Sequence, residues 1–465
     1  MEKKNCSSIR GLLELETNGI FFNGVNVKGT VLCILGDNLG SHFIGDFTEN
    51  FSSSTFICRF CLLTRPEFKK KPYRLGDKRT VEKYDFAVRE VEEAGSSVEG
   101  VKFNSLFNSM EFFHVCNAGL PPCIAHDLFE GVVSYDLLLF IRHFIETRDW
   151  FSLKYLNFRI TSFKFLRSDR TRKPCEVNIQ GNKLVGETVK TWNLLRLLPL
   201  FVSHKVDMKY SDWCLYLTLR KVVDIICAPK VSEEIVAYLH VLVEQYLADR
   251  KELFPMVPLK PKHHYLLHYS SLIRELGPLV NVWTLRFESK HSFFKNCVRQ
   301  LQNFKALNKT LSERHQLLQA YLHSGAFFGA EVSMKAGMPF SISAYSEPLQ
   351  NCLGSLNFSS EDTMITNEIT YKGTTYSFGA FVPICMHEEL CFGQITLLLI
   401  HDRKDLFVAL QVHSTTYLPH LHSYAVRGSQ QFACMHNEQM RNYCLLPAYK
   451  VPNAMLIVPK HWVTV

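Results

Sequence analysis

Residues 31–61 constrain the fold of this chain more than any other stretch. The apolar run Val31–Leu35 predicts a buried strand within residues 29–36, and the carboxylate of Asp37 follows it closely. Ligands of open α/β sheets bind outside the carboxyl ends of the strands, so we expect Asp37 at such an edge. A second strand over residues 54–58 would then deliver Cys58-x-x-Cys61, a spacing that lets two thiolates bind one tetrahedral metal ion.

The composition is that of an ordered intracellular protein with reduced cysteines. With 465 residues, of which 47% are hydrophobic, the chain is long enough for about two to four domains. A net charge of +8 is compatible with nucleic acid but is too small for a protein that packages DNA. The 15 cysteines form no regular framework, and neither a signal peptide nor a membrane-spanning run is evident. We therefore expect a nuclear or cytoplasmic protein that is not secreted and has no membrane partner.

Hydrophobic periodicity predicts an α/β region, an α region and a β region, in that order. Residues 1–148 form the first region, which includes a helix over residues 124–146 with Glu130 in its first turns. Residues 149–335 are predicted to be helical. The Ser-, Asn- and Pro-rich range 336–362 is interpreted as a linker. Residues 363–465 alternate short apolar segments with turn residues, which is typical of a small β domain.

Several segments in a consistent order resemble transposases of the CACTA (En/Spm) superfamily of animal genomes. They are GTVLCILGDNLGSHFIGDF and CRFC within residues 29–61, FNSMEFFHV at 107–115, LPPCIAHDLFEGV at 120–132, and PKHHYLLHYSSLIRELGPLVNVWTLRFESKHSFFK at 261–295. The resemblance covers nearly the whole chain, including the C-terminal β region.

The resemblance implies a partial RNase H-like core that uses a DDE triad of carboxylates to cleave and join DNA. Such a triad holds two Mg²⁺ or Mn²⁺ ions, and the matching motifs place Asp37 as its second acid and Glu130 as its third. The chain begins too close to Asp37 to include the first acid. Cys123 also stands where the family has the aspartate of an Asp-x-Met-His motif. We therefore expect a truncated, transposon-derived protein that binds duplex DNA but is catalytically inactive.

A zinc site is the second expectation. Related transposases bring a distant pair of histidines or similar groups to the place that Cys58 and Cys61 occupy here. The nearby candidates are His114 and His126. The alternative is that the two cysteines are half-buried packing residues near the end of a strand.

Other cysteines and histidines are weaker candidates for zinc ligands. Cys116 and Cys123 are the alternatives to His114 and His126. His264 and His268 share one face of a predicted helix, but with no third ligand evident we interpret this histidine-rich segment as a packing surface.

The remaining alternatives are also structural. Asp37 could cap the turn after its strand, and Glu130 could be favoured by the dipole of its helix. The basic runs within residues 65–79 and 286–295 are more often solvated faces than phosphate contacts. For the whole chain, the alternative function is a nuclear scaffold without nucleic-acid activity. Homo-oligomerisation stays open.

Overall fold

The computed structural model describes residues 7–50, 53–302, 304–324, 332–334, 336–354, 356, 358–386, 389–440, 445–451 and 454–463. The chain divides into two compact units. Unit 1 comprises Met1–Phe163 and Arg172–Phe287, and unit 2 comprises Lys164–Thr171 and Glu288–Val465. The range 149–335 is thus shared between the two units. No helix in the described ranges is both long and apolar enough to cross a membrane.

Helices predominate from residue 81 to residue 323. The α-helices are α1 (Ser7–Thr17), α2 (Asn38–Ile44), α3 (Arg65–Lys70), α4 (Val81–Ala94), α5 (Ser134–Glu146), α6 (Leu153–Ser162), α7 (Arg167–Thr171), α8 (Thr188–Val202), α9 (Ser211–Ile226), α10 (Glu233–Leu253), α11 (Pro261–Leu276), α12 (Leu285–Leu301), α13 (Leu307–His323) and α14 (Glu347–Gly354). Shorter 3-10 or π segments lie at Leu106–Ser109, Val115–Gly119, Ile124–Val133, Ser203–Lys205, Leu279–Asn281, Ile342–Ala344 and Asn437–Gln439. Because the segment Ile124–Val133 continues directly into α5, the predicted helix over residues 124–146 is confirmed.

Buried Asp136 ties three helices of unit 1 together. Its carboxylate accepts hydrogen bonds from Nε2 of His263 at 3.0 Å, from Nε of Arg250 at 3.1 Å and from the hydroxyl of Tyr246. Burial alone would raise the pKa of Asp136, but the charges of His263 and Arg250 outweigh it and hold that pKa at about 2. This network fixes the start of α11 against α5 and α10.

The segment before α2 is irregular. Residues 28–37 contain no helix or strand, so the prediction of a buried strand over residues 29–36 is wrong. Leu32 is 75% exposed, and the amide of Ile34 donates to the carbonyl of Gly119 at 2.8 Å instead of pairing with a strand. An apolar run becomes a strand only where another strand satisfies its backbone groups. None of the described strands lies beside this run.

The predicted strand over residues 54–58 is wrong as well. Only isolated bridges form there, Phe56 with Thr64 and Cys61 with Lys78. Within the described part of residues 1–148, the strands are β1 (Ile20–Phe22) and β2 (Val25–Val27), which pair as a hairpin. The structure therefore does not show the sheet of an RNase H-like core.

The C-terminal region is an antiparallel β structure, as predicted. Its strands are β3 (Val332–Met334), β4 (Met338–Pro339), β5 (Thr363–Thr366), β6 (Glu368–Tyr371), β7 (Thr374–Ser377), β8 (Phe381–Met386), β9 (Glu389–His401), β10 (Asp405–Leu418), β11 (Ser423–His436), β12 (Ala448–Val451) and β13 (Ala454–Ile457). The larger sheet has the order β12-β13-β11-β10-β9-β5-β4, with β8 also paired to β9, and a smaller sheet has the order β3-β6-β7. Alternating buried residues such as Leu406, Val408 and Leu410 on β10 place one face of the strand in the core.

The range 336–362 packs against the larger sheet. It contains β4 and α14, and Leu349 and Leu353 of α14 are buried against Leu399 and Ala409. Residues 355 and 357 of this range lie outside the described residues. Burial of this kind attaches the Ser- and Asn-rich segment to the β structure, rather than leaving it as an extended connection.

Candidate metal centre

Four buried side chains of unit 1 converge on one point. They are Cys58, Cys61, His264 and His268, whose potential ligand atoms all lie within 4.8 Å of one another. Their residue exposures are 3%, 1%, 0% and 7%, respectively. Among the described residues, no other group of three or more His, Cys, Asp or Glu side chains converges in this way. This group could hold a metal ion such as zinc.

The distances within the group fit a tetrahedral ion. Sγ of Cys61 lies 3.2 Å from Nε2 of His264, and Sγ of Cys58 lies 3.4 Å from Nε2 of His268. The two Nε2 atoms are 3.2 Å apart. A zinc ion with ordinary bond lengths separates sulfur and nitrogen ligands by about 3.6 Å and two nitrogen ligands by about 3.4 Å. These three separations are within a few tenths of an ångström of those in a tetrahedral zinc site, and the other three are no longer than 4.8 Å.

The protonation states in the group also favour a metal. A hydrogen bond from Cys58, with smaller contributions from His264 and His268, lowers the pKa of Cys61 despite its burial. Burial raises the pKa of Cys58 and lowers that of His268. The hydrogen bond between the two cysteines thus makes Cys61 the more acidic thiol of the pair, and burial favours the neutral imidazole of His268. Zinc binds cysteine as the thiolate and histidine as the neutral imidazole, so a bound cation would release the remaining thiol protons.

Local structure explains how the four ligands are presented. His264 and His268 lie one turn apart on α11, so both rings project from the same face of the helix. Pro261 occupies the first turn of α11, where its missing N–H is not needed. On the other side, the bridge between Phe56 and Thr64 closes a loop around the two cysteines.

The loop also orients its own sulfur. The amide of Phe60 donates to Sγ of Cys58 at 3.3 Å, a contact that favours the thiolate form needed by a metal. The ring of Phe60 lies 5.1 Å from that of His268, and the ring of Phe68 lies 5.9 Å from that of His264. These aromatic rings pack against the two imidazoles and help to bury them.

The structure brings together the two predicted cysteines but does not place the two predicted histidines beside them. His114 lies in a different cluster, with Nε2 3.9 Å from a carboxylate oxygen of Asp85 and Nδ1 accepting the amide of Cys116 at 3.1 Å. Nδ1 of His126 lies 3.2 Å from Sγ of Cys123. The histidines of the group are instead His264 and His268.

Asp37 and Glu130 both have structural partners. Oδ1 of Asp37 accepts the amide of Gly40 at 2.6 Å, so Asp37 caps the helix α2 rather than a turn after a strand. Glu130 is half-buried and accepts a hydrogen bond from the hydroxyl of Thr188 at 3.2 Å. Neither carboxylate belongs to the converging group identified among the described residues.

A third carboxylate, Asp127, is fully buried in the π segment before α5. Neither of its oxygens has a hydrogen-bond partner among the described residues, and Nζ of Lys262 is 3.6 Å from Oδ1. Burial raises the pKa of Asp127, although the charges of Arg59 and Lys262 act in the opposite direction. This carboxyl group is therefore poorly stabilised in its charged form.

No protein-family model matches this sequence, and no curated protein matches it either.

Proposed function

We propose that this chain is a zinc-containing protein, derived from a CACTA-type transposase, that binds duplex DNA without cleaving it. The observation that carries the proposal is the convergence of Cys58 and Cys61 with His264 and His268. These residues come from the segments 29–61 and 261–295, two of the segments on which the transposase resemblance rests. Each segment supplies two of the four ligands, so binding one metal ion would require both segments in the same folded domain.

The metal in this proposal is structural. Zinc sites with four protein ligands are closed, whereas catalytic zinc keeps a position open for water or substrate. Two thiolates and two imidazoles supply all four ligands here, and all four residues are buried. When bound, the ion would link the loop around Cys58 and Cys61 to α11.

Asp37 and Glu130 would be the second and third acids of an ancestral DDE triad, on a segment descended from an RNase H-like core. Two-metal phosphoryl chemistry with Mg²⁺ or Mn²⁺ needs several carboxylates close together, and neither Asp37 nor Glu130 belongs to a converging group of potential ligands among the described residues. The capping role of Asp37 and the hydrogen bond from Thr188 to Glu130 are sufficient reasons for the fold to retain them. With DNA as the ligand, the nucleus is the expected compartment.

Duplex binding at low salt tests the proposal. The zinc-loaded full chain should bind a labelled DNA duplex of arbitrary sequence, with an affinity that falls steeply as salt rises, because phosphate contacts release counterions. Binding that is absent even at about 50 mM salt would contradict the proposal and would favour a scaffold without nucleic-acid activity.

A further inference from the structure

The basic run at residues 65–79 has a shape that the sequence alone does not reveal. These 15 residues contain seven Lys or Arg and two carboxylates, within a chain whose total net charge is only +8. The chain folds here around a cleft of about 470 Å³. Lys70 and Lys71, at the end of α3, and Arg74 line this cleft, which we call the basic cleft.

The metal centre adjoins the basic cleft. Leu62 and Leu63 line the cleft and directly follow the ligand Cys61. The amide of Leu62 donates to the carbonyl of Asp77 at 2.9 Å, which holds the far wall in place. Gly76 makes this approach possible, because a Cβ at its position would lie 2.5 Å from the backbone nitrogen of Leu63. The walls of the cleft are therefore held in place by specific backbone contacts.

Some of the charges around the cleft already have partners. Nζ of Lys78 lies 3.4 Å from Glu275, and Nζ of Lys83 lies 3.7 Å from Asp77. The carboxylate of Glu67, which also lines the cleft, accepts the amide and the hydroxyl of Thr64 at 2.9 Å and 2.6 Å.

The cations of the cleft itself are not paired. Within the described ranges, no carboxylate oxygen lies within 4.0 Å of Lys69, Lys70, Lys71 or Arg74. Three of these four cations face one concave surface, and a concave low-dielectric surface concentrates its electric field on a ligand. Glu67 and Asp77 also line the cleft, so its three cations outnumber its carboxylates by one. The three cations are thus available to an anion from solution.

We infer that the basic cleft binds the phosphodiester backbone of duplex DNA. The inference rests on the proposed DNA-binding function and adds to it the surface that makes the contact. A guanidinium such as that of Arg74 can bind two phosphate oxygens at once, and lysine ammonium groups supply further point charges. Contacts of this kind position a protein on a duplex without reading its sequence.

Charge removal in the cleft tests the inference on the zinc-loaded full chain. The variant combines Lys70→Gln, Lys71→Gln and Arg74→Gln. The control combines Lys154→Gln, Lys173→Gln and Lys209→Gln, which removes the same charge from exposed positions elsewhere in unit 1. Binding of a labelled duplex is measured by fluorescence anisotropy between about 50 and 200 mM salt.

The cleft variant should lose affinity on the order of 100-fold at about 0.1 M salt, and its slope of log K against log salt should become shallower by about 2.7, or about 0.9 per phosphate contact. The control should retain the slope of the unmodified chain. Equal slopes and affinities for the two variants would overturn the inference while leaving the proposed function in place. Absence of duplex binding by the unmodified chain would overturn both.

Acetylation of the unmodified chain tests the same inference without relying on variants that fold correctly. Bound duplex should slow the chemical acetylation of Lys70 and Lys71, read out by mass spectrometry, and should leave Lys154 and Lys173 unaffected. Acetylation of Lys70 and Lys71 at the same rate with and without bound DNA would overturn the inference.

Discussion

Sγ of Cys61 and Nε2 of His264 lie 3.2 Å apart although 203 positions separate the two residues in the chain. Long-range contacts between two potential metal ligands are expensive to form without a metal, because loop closure and burial of polar groups both oppose them. A bound ion would supply the compensating free energy. The stability of unit 1 would therefore depend on a metal ion bound at this contact.

The first expected outcome concerns metal content. Purified protein should contain about one zinc ion per chain. His264→Ala and His268→Ala should each lose most of this zinc, because a tetrahedral site with three protein ligands binds much more weakly. Elemental analysis of the two variants, beside His114→Ala and His126→Ala as controls, measures the effect.

The controls discriminate between the histidines expected from the sequence and those found in the structure. His114→Ala and His126→Ala should keep their zinc, since His114 contacts Asp85 and Cys116 and His126 contacts Cys123. Zinc lost from these controls and retained in the α11 variants would show that the metal is bound elsewhere.

The second expected outcome concerns metal removal. A strong chelator should lower the melting temperature of unit 1, because a ligand present at about 1,000 times its dissociation constant stabilises a fold by about 4 kcal/mol. Unit 2 contains none of the four ligand residues. Hydrogen exchange should therefore accelerate in α11 while the amides of β9–β11 keep their protection, and equal acceleration in both units would contradict this assignment.

The sequence revealed half of the metal site. Cys58 and Cys61 could be recognised because their spacing is itself a ligand pattern. His264 and His268 also have a ligand pattern, the i, i+4 pair on one helix face, but a pair is only meaningful once its partners are known. The two half-sites together make a complete Cys2His2 set, whereas His114 and His126 are nearer in sequence but lie elsewhere in the fold.

The fold was predictable where the periodic pattern was long. The helix over residues 124–146 and the C-terminal strands follow from such patterns, and both are present. Val31–Leu35 is an apolar run of only five residues, and its conformation depends on whether another strand lies beside it. In the structure the amide of Ile34 bonds instead to the carbonyl of Gly119, and its side chain packs against a hydrophobic cluster, which are tertiary interactions that no local pattern encodes.

The third expected outcome concerns buried Asp127. Burial raises its pKa above the usual value, so the folded state holds its proton more tightly than the unfolded state does. Stability should therefore decline as the pH rises from about 3.8 through the raised pKa. Asp127→Asn removes this decline and should raise the melting temperature at pH 7 by roughly 2–4 °C. Thermal unfolding from pH 4 to pH 8 measures the difference, and a variant less stable than the unmodified chain at pH 7 would refute the assignment.

The fourth expected outcome concerns Asp136, whose pKa is lowered rather than raised, so the stability of the protein depends on pH in the opposite direction. Its pKa is lowered to about 2, so its contribution to stability is present above the ordinary value of about 3.8 and is lost as the pH falls towards 2. Asp136→Asn leaves Arg250 buried without its counter-charge, which costs about 3–5 kcal/mol. Denaturant unfolding at pH 7 should show this loss, with a smaller difference between the two proteins near pH 3. A pH-independent difference would indicate lost packing rather than a lost ion pair.

The last expected outcome concerns catalysis and separates a capping carboxylate from a catalytic one. Removal of one member of a catalytic set commonly lowers the rate by several orders of magnitude, because the groups act as a unit. We therefore expect no nicking or joining of transposon-end DNA by this chain in Mg²⁺ or Mn²⁺, and the same result for the Asp37→Ala, Glu130→Ala double variant. Stability should still distinguish substitutions at position 37. Asparagine is as good a helix cap as aspartate, so Asp37→Asn should be nearly neutral, whereas Asp37→Ala should cost about 0.5–2 kcal/mol. Cleavage by the unmodified chain that disappears in the double variant would show instead that these carboxylates still hold catalytic metal ions.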